Sequence, residues 1–573
     1  MKKYKTSIIA SFLAIIMVFF VWHNFKVSGN NIIFIFLLIC FEIFFLKNLS
    51  KIDKRKKIIA IVISTAFSLV EVICTSINTD YTLNNVFNKW NILNFAGYFI
   101  ISYFTISILY IKLEQYKFKE ITILKKIKSE TVITLLCVFL IFISWLPYFI
   151  MFSPGIISPD SYSQIQQVLG DLNLDDHHPI FHTAIIAIFI KLGLKIFNNI
   201  NVAIALYTIA QMLMLSISYA LVVKYLRKNK VPTIFRIITL LYYMLYPIHA
   251  VYSTIMWKDI LFSGIFPIFV VYCIKIISNT DEFFKHKRNI VWFVLIALLT
   301  IYLRHNGLYV VLLTTVAILV ALRKFWKKLL PLLLVIIVLY EAINFFIYNI
   351  LKVTKGSIAE AMSIPLQQIA RTIKYNYDKI DQETIEEVNK FFREENIWEQ
   401  YNPILSDNVK FKFDVNYFKE NKSEFIKIWI KLFAKYPKDY IESAISNSYG
   451  YYYAEANSSI LGIYDMNNEY NIKLQPKENT KFYYIFMTAI QYKNLPILSM
   501  IFSIGAQFWL IVILLGFQIY KRRYKNILIY IPILVLWLTC VASPVYNEFR
   551  YAYPIFTTFP IYICLSFMQN KEE

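Results

Sequence analysis

The chain has 573 residues, of which 58% are hydrophobic, 17% aromatic and only 17% charged, and it carries a formal net charge of +22. A soluble domain holds roughly 25% charged residues and keeps its apolar residues in short periodic segments. Here they run long enough to cross a bilayer, with a mean hydropathy of +0.52, which excludes an ordinary soluble enzyme and marks an all-α polytopic membrane protein.

A hydrocarbon core about 30 Å thick takes about 20 apolar residues of helix. In chain order, residues 7–22, 31–46, 58–77 and 91–111 form a four-helix membrane extension over 1–130. The opening MKKYKTSIIASFLAIIMVFF resembles a signal peptide but is followed by no small-x-small cleavage site, so it is read as a retained helix. Residues 131–350 form the central membrane part, with spans at 131–152, 201–223, 234–250, 260–277, 290–303, 308–322 and 329–350 and an outer loop over 153–200. Segment 181–197 is apolar but interrupted by Lys191 and Lys195, and is expected as an amphipathic helix on the outer surface. Residues 351–495 carry 19 Asp+Glu and 19 Lys+Arg with helical periodicity, the pattern of a small helical extracytoplasmic domain. Residues 496–573 close the chain with spans at 497–519, 526–541 and 553–568, which brings the expected number to fourteen.

Six loops, 47–57, 112–130, 224–236, 275–288, 323–328 and 521–525, hold 29 of the Lys and Arg residues. The intervening short loops hold one each or, over 153–180, none. Short basic loops stay in the cytoplasm, so both termini are expected inside. The excess positive charge then belongs to the membrane topology, and no nucleic-acid partner is implied. The chain has no GxGxxG and no GxxxxGKS/T loop, and its six cysteines all fall inside apolar runs without a CxxC pair, as small core residues do.

Six of the seven histidines fall at outer ends of spans or in outer loops, so chemistry is expected on the outer face. The loop SPGIISPDSYSQIQQVLGDLNLDDHHPIFHTAI lacks any Lys or Arg and offers Asp160, with Gln164 one turn on, and His177 and His178. Asp160 reads either as a base at the water boundary or as the N-cap of a helix starting near Ser161. Three further groups each put one cation at an outer helix end: Lys258-Asp259 after Trp257, Arg304-His305-Asn306, and Glu548-Phe549-Arg550-Tyr551. Ionisable residues near membrane depth are costly and point to function, although a lone cation there also snorkels to lipid phosphate. In SIPLQQIARTI, Gln367, Gln368 and Arg371 lie within a turn or so of helix, and read either as substrate-binding or as packing.

An outer Asp after a span, the His178-Pro179 dipeptide some twenty residues on, and an apolar surface helix leading into a span together resemble the GT-C glycosyltransferases. Nearest in pattern are the protein O-mannosyltransferases and the lipid A aminoarabinose transferase. The resemblance covers 131–350 best, and the acidic site is Pro-Asp-Ser rather than Asp-Glu. It implies a bacterial membrane enzyme moving a sugar from a polyprenyl-phosphate-linked donor to a glycan, protein or lipid acceptor at the outer face. Asp160 would be the base and Lys258, Arg304, His305, Arg550 and Tyr551 would face the phosphate. His177 and His178 would bind a hydroxyl, the phosphate or a divalent metal, whose requirement stays open, and no other cofactor is expected. Competing readings are a lipid-linked saccharide flippase or transporter, a polymerase or ligase, and a membrane scaffold.

Overall fold

The computed structural model describes residues 2–25, 31–49, 54–115, 129–456, 468–474 and 498–566, with 458, 460, 481, 483, 484, 487, 488 and 495. Most of the expected basic loop 112–130, part of loop 47–57, much of 457–497 and the end of the last span therefore lie outside the described residues. Among the described residues the protein is helical, and strand-like pairing is confined to isolated bridges. Nine helices among the described residues are long and apolar enough to cross a membrane, and Thr233–Leu245, Gly307–Ala321 and Ile504–Tyr520 are shorter apolar helices. The chain is a membrane-embedded protein. Ile180–Phe197, expected as a surface helix, is among the nine.

The expected span 234–250 is two helices, Thr233–Leu245 and Pro247–Tyr252. Pro247 lacks the N–H that would continue the first helix, and it biases Tyr246 to extended backbone. Lys258–Ser278 is the central helix: 78% of its most apolar stretch is buried, against 22–44% for the other eight. It packs against Ile200–Lys228, Lys287–Leu303 and Phe549–Leu565, around a core that includes Phe262, Phe266, Phe269 and Phe556.

That helix, about 30 Å long for 21 residues, joins two chemically different ends. At its Ser278 end the basic loops meet one another. Arg227 pairs with Glu130 at 3.3 Å, Lys328 with Asp281 at 2.7 Å and Lys521 with Glu114 at 3.4 Å, and Lys525 donates to the Ser278 carbonyl. At its Lys258 end the loops expected outside are stitched by backbone. Ile156 N–H donates to the Thr254 carbonyl and Met256 N–H to the Ile156 carbonyl, while Asp176 N–H donates to the Thr354 carbonyl.

Ser363–Asn376, Gln382–Asn389, Lys422–Lys435 and Pro437–Ser448 enclose a separate core of Leu366, Ile369, Ile373, Phe391, Trp398 and Phe425. This unit is held to the N-terminal helices by charge. Leu83 N–H donates to Glu442 at 2.7 Å, and Arg371 donates to the Tyr81 carbonyl at 3.0 Å.

Arg304 reaches the Lys258 end because the chain turns tightly at 304–307, with Gly307 N–H bonded to the Arg304 carbonyl. A methyl group added at Gly307 would lie 1.9 Å from the Thr300 carbonyl oxygen, a backbone atom that cannot swing aside. Gly307→Ala is therefore expected to cost ~1–3 kcal/mol of stability and to lower the thermal unfolding midpoint in detergent. An unchanged midpoint would mean that the turn relaxes freely.

Candidate functional site

Asp160 sits in the first turn of Pro159–Leu169, where the positive end of the helix dipole favours a carboxylate. It is not the cap. Ser158 and Ser161 form a reciprocal capping box around Pro159, with Ser158 N–H donating to Ser161 Oγ at 2.9 Å. With the orphan helix donors already served, the Asp160 side chain is free for other partners.

Arg550 Nη1 donates to Asp160 Oδ2 at 2.7 Å, and Lys258 Nζ lies 4.0 Å from the same oxygen. Lys258 Nζ also donates to His178 Nδ1 at 2.8 Å, which places the neutral ring's proton on Nε2. Arg304 Nε lies 3.3 Å from Asp259 Oδ1, and its Nη1 donates to the Tyr551 carbonyl at 2.9 Å. Arg550 Nε lies 3.4 Å from Glu548 Oε1. The Tyr551 ring centroid lies 4.7 Å from the Arg304 guanidinium and 5.0 Å from that of Arg550. Four chain segments far apart in sequence thus put three cations and three carboxylates in one place.

The arrangement is graded in depth. Side-chain exposure falls from 30% at Asp160 through 16% at Lys258 and 15% at Arg550 to 7% at Arg304 and none at Asp259. Asp259 accepts no hydrogen bond among the described residues, and its nearby Arg304 approaches only as an ion. Burial raises the Asp160 carboxyl, but Arg550, Lys258 and His178 outweigh it and hold the group well below the ordinary value of 3.8. Burial and the Lys258 charge push His178 well below 6.5. Burial lifts Glu548 above 4.5 against the pull of Arg550.

Trp257, next to Lys258 in sequence, is a partner that composition did not single out. Its ring lies 4.9 Å from the Arg550 guanidinium, and its Nε1–H donates to Ser158 Oγ at 2.7 Å. One residue therefore orients the cation and braces the helix that carries Asp160. Trp257 is itself buried, and an indole next to Lys-Asp in sequence was a readable signal for a cation–π contact.

Other expected residues lie elsewhere. Gln164 is buried and bonds Thr183 and His182, which continues through Tyr207 to Gln211, so it braces three helices and is not open to a substrate. His305 turns away from the cations: its Nε2 lies 2.9 Å from the Asp176 carbonyl. The backbone at Arg304 is extended, so consecutive side chains point to opposite sides. His177 is exposed and packs edge-on against His178. Asn306 is half-buried in the turn, and no described contact joins it to the cations. Gln367, Gln368 and Arg371 belong to the separate helical unit. Gln367 bonds the Asn402 carbonyl, Gln368 bonds Tyr440 and Trp429, and Arg371 pairs with Glu442 at 2.5 Å. Among the described residues no group of three or more His, Cys, Asp or Glu is gathered to hold a metal.

The family model described as "Family of unknown function (DUF6020)" matches residues 171–573, and the chain belongs to that family. The matched region includes His178, Lys258, Arg304 and Arg550 and begins after Asp160. No curated protein and no solved structure matches the chain.

Arg371→Ala is expected to destabilise by ~3–5 kcal/mol, because it leaves buried Glu442 with only the exposed Lys438, 3.7 Å away, in place of its hydrogen-bonded guanidinium; a thermal midpoint equal to wild type would refute this. For His178, the unfolded chain takes up a proton near 6.5 while the folded chain resists, so stability falls as the pH drops below that value. Asp160 adds a loss of the same sign at lower pH, and Glu548 has the opposite sign, weakening the fold as pH rises above 4.5. Melting curves from pH 7 to 4.5 should fall more steeply for wild type than for His178→Asn. Parallel slopes would remove His178 as the cause.

Proposed function

We propose that this DUF6020 chain is a GT-C-type glycosyltransferase that moves a sugar from a polyprenyl-phosphate-linked donor to an acceptor hydroxyl at the extracytoplasmic face of the membrane. One observation carries the reading: three cations from three chain segments gather in one ion cluster, two of them on Asp160, the most exposed of its three carboxylates, at the end of a buried helix. An anionic leaving group next to a base needs these charges. The basic loops gathered at the opposite end support the orientation, because such loops stay in the cytoplasm. A topology of about fourteen spans with both termini inside belongs to the same reading.

In the reaction the acceptor O–H attacks the anomeric carbon, the C1–O bond to phosphate breaks, and its electron pair leaves on the phosphate oxygen. The acceptor proton goes to Asp160. Held by Arg550 and Lys258, Asp160 is a weak base. A bound phosphate competes for the same two cations, and each contact it takes raises the proton affinity of Asp160 as bond-making begins. Arg304, the most buried of the three, stays anchored by Asp259 and Tyr551 and offers preorganised charge to the leaving phosphate.

General-base catalysis is worth typically 10²–10⁴ in rate, so Asp160→Asn should lower transfer by about that factor while the protein remains folded and in the membrane. In cells, the substitution should reproduce the lipid profile of a gene deletion, with a polyprenyl-phosphate-linked sugar accumulating in extracts analysed by mass spectrometry. Asp160→Asn cells indistinguishable from wild type, beside a deletion that does accumulate donor, would remove Asp160 from the mechanism. A deletion that leaves every lipid-linked sugar and envelope glycan unchanged would sink the transferase reading itself. Arg304→Ala should weaken donor use by roughly 10²–10³, and an effect confined to the acceptor would count against its phosphate role.

A further inference from the structure

Beside the ion cluster, on the far side of loop 176–178, lies a cavity of about 360 Å³, counted out to open solvent. Its polar wall is made by Asp176, Tyr302, His305, Tyr340, Asn344 and Tyr348, brought from the end of one helix, one continuous helical stretch over 340–348, the 304–307 turn and one loop. The wall is braced from behind. Tyr348 O–H donates to Asp176 Oδ2 at 2.5 Å, and Tyr302 O–H to the Tyr340 carbonyl at 2.8 Å and to Asn344 Oδ1 at 3.1 Å. His305 Nε2 lies on the Asp176 carbonyl, which leaves Nδ1 without a described partner. The Asn344 amide N–H₂ and the Tyr340 hydroxyl likewise have no described partner.

These groups discriminate among ligands. A hydrocarbon chain would strip water from Asp176 and Asn344 and return no hydrogen bonds, which is costly. A phosphate would meet the Asp176 carboxylate and no guanidinium in the lining. A polyhydroxylated ring meets all of them: its hydroxyls donate to carboxylate and imidazole and accept from the Asn344 amide and the Tyr340 phenol, the Tyr302 and Tyr348 protons being already given to the protein, and its C–H faces lie against tyrosine rings. The cavity opens to solvent, so a ring would sit in its mouth with one face in water. The cavity and the cations are also continuous in structure. Asp176 is two residues before His178, which holds Lys258, and His305 follows Arg304.

We propose that this cavity is a saccharide subsite, built for one uncharged sugar ring and held beside Asp160 by the 176–178 loop and the 304–305 turn. Its place in catalysis rests on the proposed sugar transfer; its ligand chemistry does not. The sugar is either the one leaving the donor or the one carrying the acceptor hydroxyl.

The test uses the full chain in lipid nanodiscs and saturation-transfer NMR. The probes are methyl glycosides of glucose, galactose, mannose and N-acetylglucosamine, with the matching sugar 1-phosphates. At least one glycoside should show saturated ring protons with wild type and with Asp160→Asn. Asn344→Ala and His305→Gln should each weaken its binding at least ten-fold, and His305, being exposed, keeps the test valid if the first variant misfolds. A 1-phosphate that binds more tightly than its methyl glycoside, by an advantage that Arg304→Ala removes, assigns the subsite to the donor; no such advantage assigns it to the acceptor. Absence of saturation for every probe, or binding untouched by both variants, overturns the subsite even if Asp160→Asn abolishes transfer. Conversely, glycoside binding that depends on Asn344 and His305 in a protein whose transfer ignores Asp160 keeps the subsite and removes the proposed mechanism.

Discussion

Positive charge taken out of water must be answered on the spot, and at the Lys258 end of this bundle that need fixes where almost everything else goes. Three cations at the ends of apolar helices cannot stay there on snorkelling alone. Arg304, the deepest, takes Asp259 and the Tyr551 carbonyl; Arg550 takes Asp160 and Glu548; Lys258 takes His178 and the edge of Asp160. Each anion arrives on a different piece of chain. The loops that carry them are consequently pinned together even though their sequences share no contact pattern. Tyr551 and Trp257 complete the arrangement by putting aromatic faces against guanidiniums at little polar cost.

Much of the membrane architecture was legible because it rests on one-dimensional properties. Charge-free runs such as 131–152 and 201–223 must be helices in lipid, since no water is there to satisfy their backbone groups. The basic loops identified one end of the bundle without reference to any partner. The break at Tyr246-Pro247 was equally visible in principle, but hydropathy averages over it and merges two helices into one.

Local polar detail was less legible, for identifiable reasons. Asp160 stands between two serines, and a lone preferred capping residue cannot be separated from a Ser-x-x-Ser box by composition. Arg304 and His305 are neighbours that extended backbone sends to opposite walls, one to the cations and one to the saccharide cavity. Gln367 and Arg371 do share a helical face, as their spacing requires, but their partners Asn402 and Glu442 lie 35 and 71 residues away, beyond the reach of any local pattern. Spacing establishes which side chains point the same way; it does not say what waits opposite.

The backbone seam between Ile156 and residues 254–256 also bears on tempo. Asp160 and Lys258 are mounted on the two halves of that seam, so neither can retreat from the other by loop opening without breaking main-chain hydrogen bonds. What remains free to move is the outer part of the long Lys258 and Arg550 side chains. Side-chain rotation is local, whereas lids swing as whole segments in microseconds to milliseconds. A centre wired in this way would re-route its charges by rotating side chains against a fixed backbone once an anion arrives, and the slow events of a working cycle would be the arrival and departure of lipid through the bilayer.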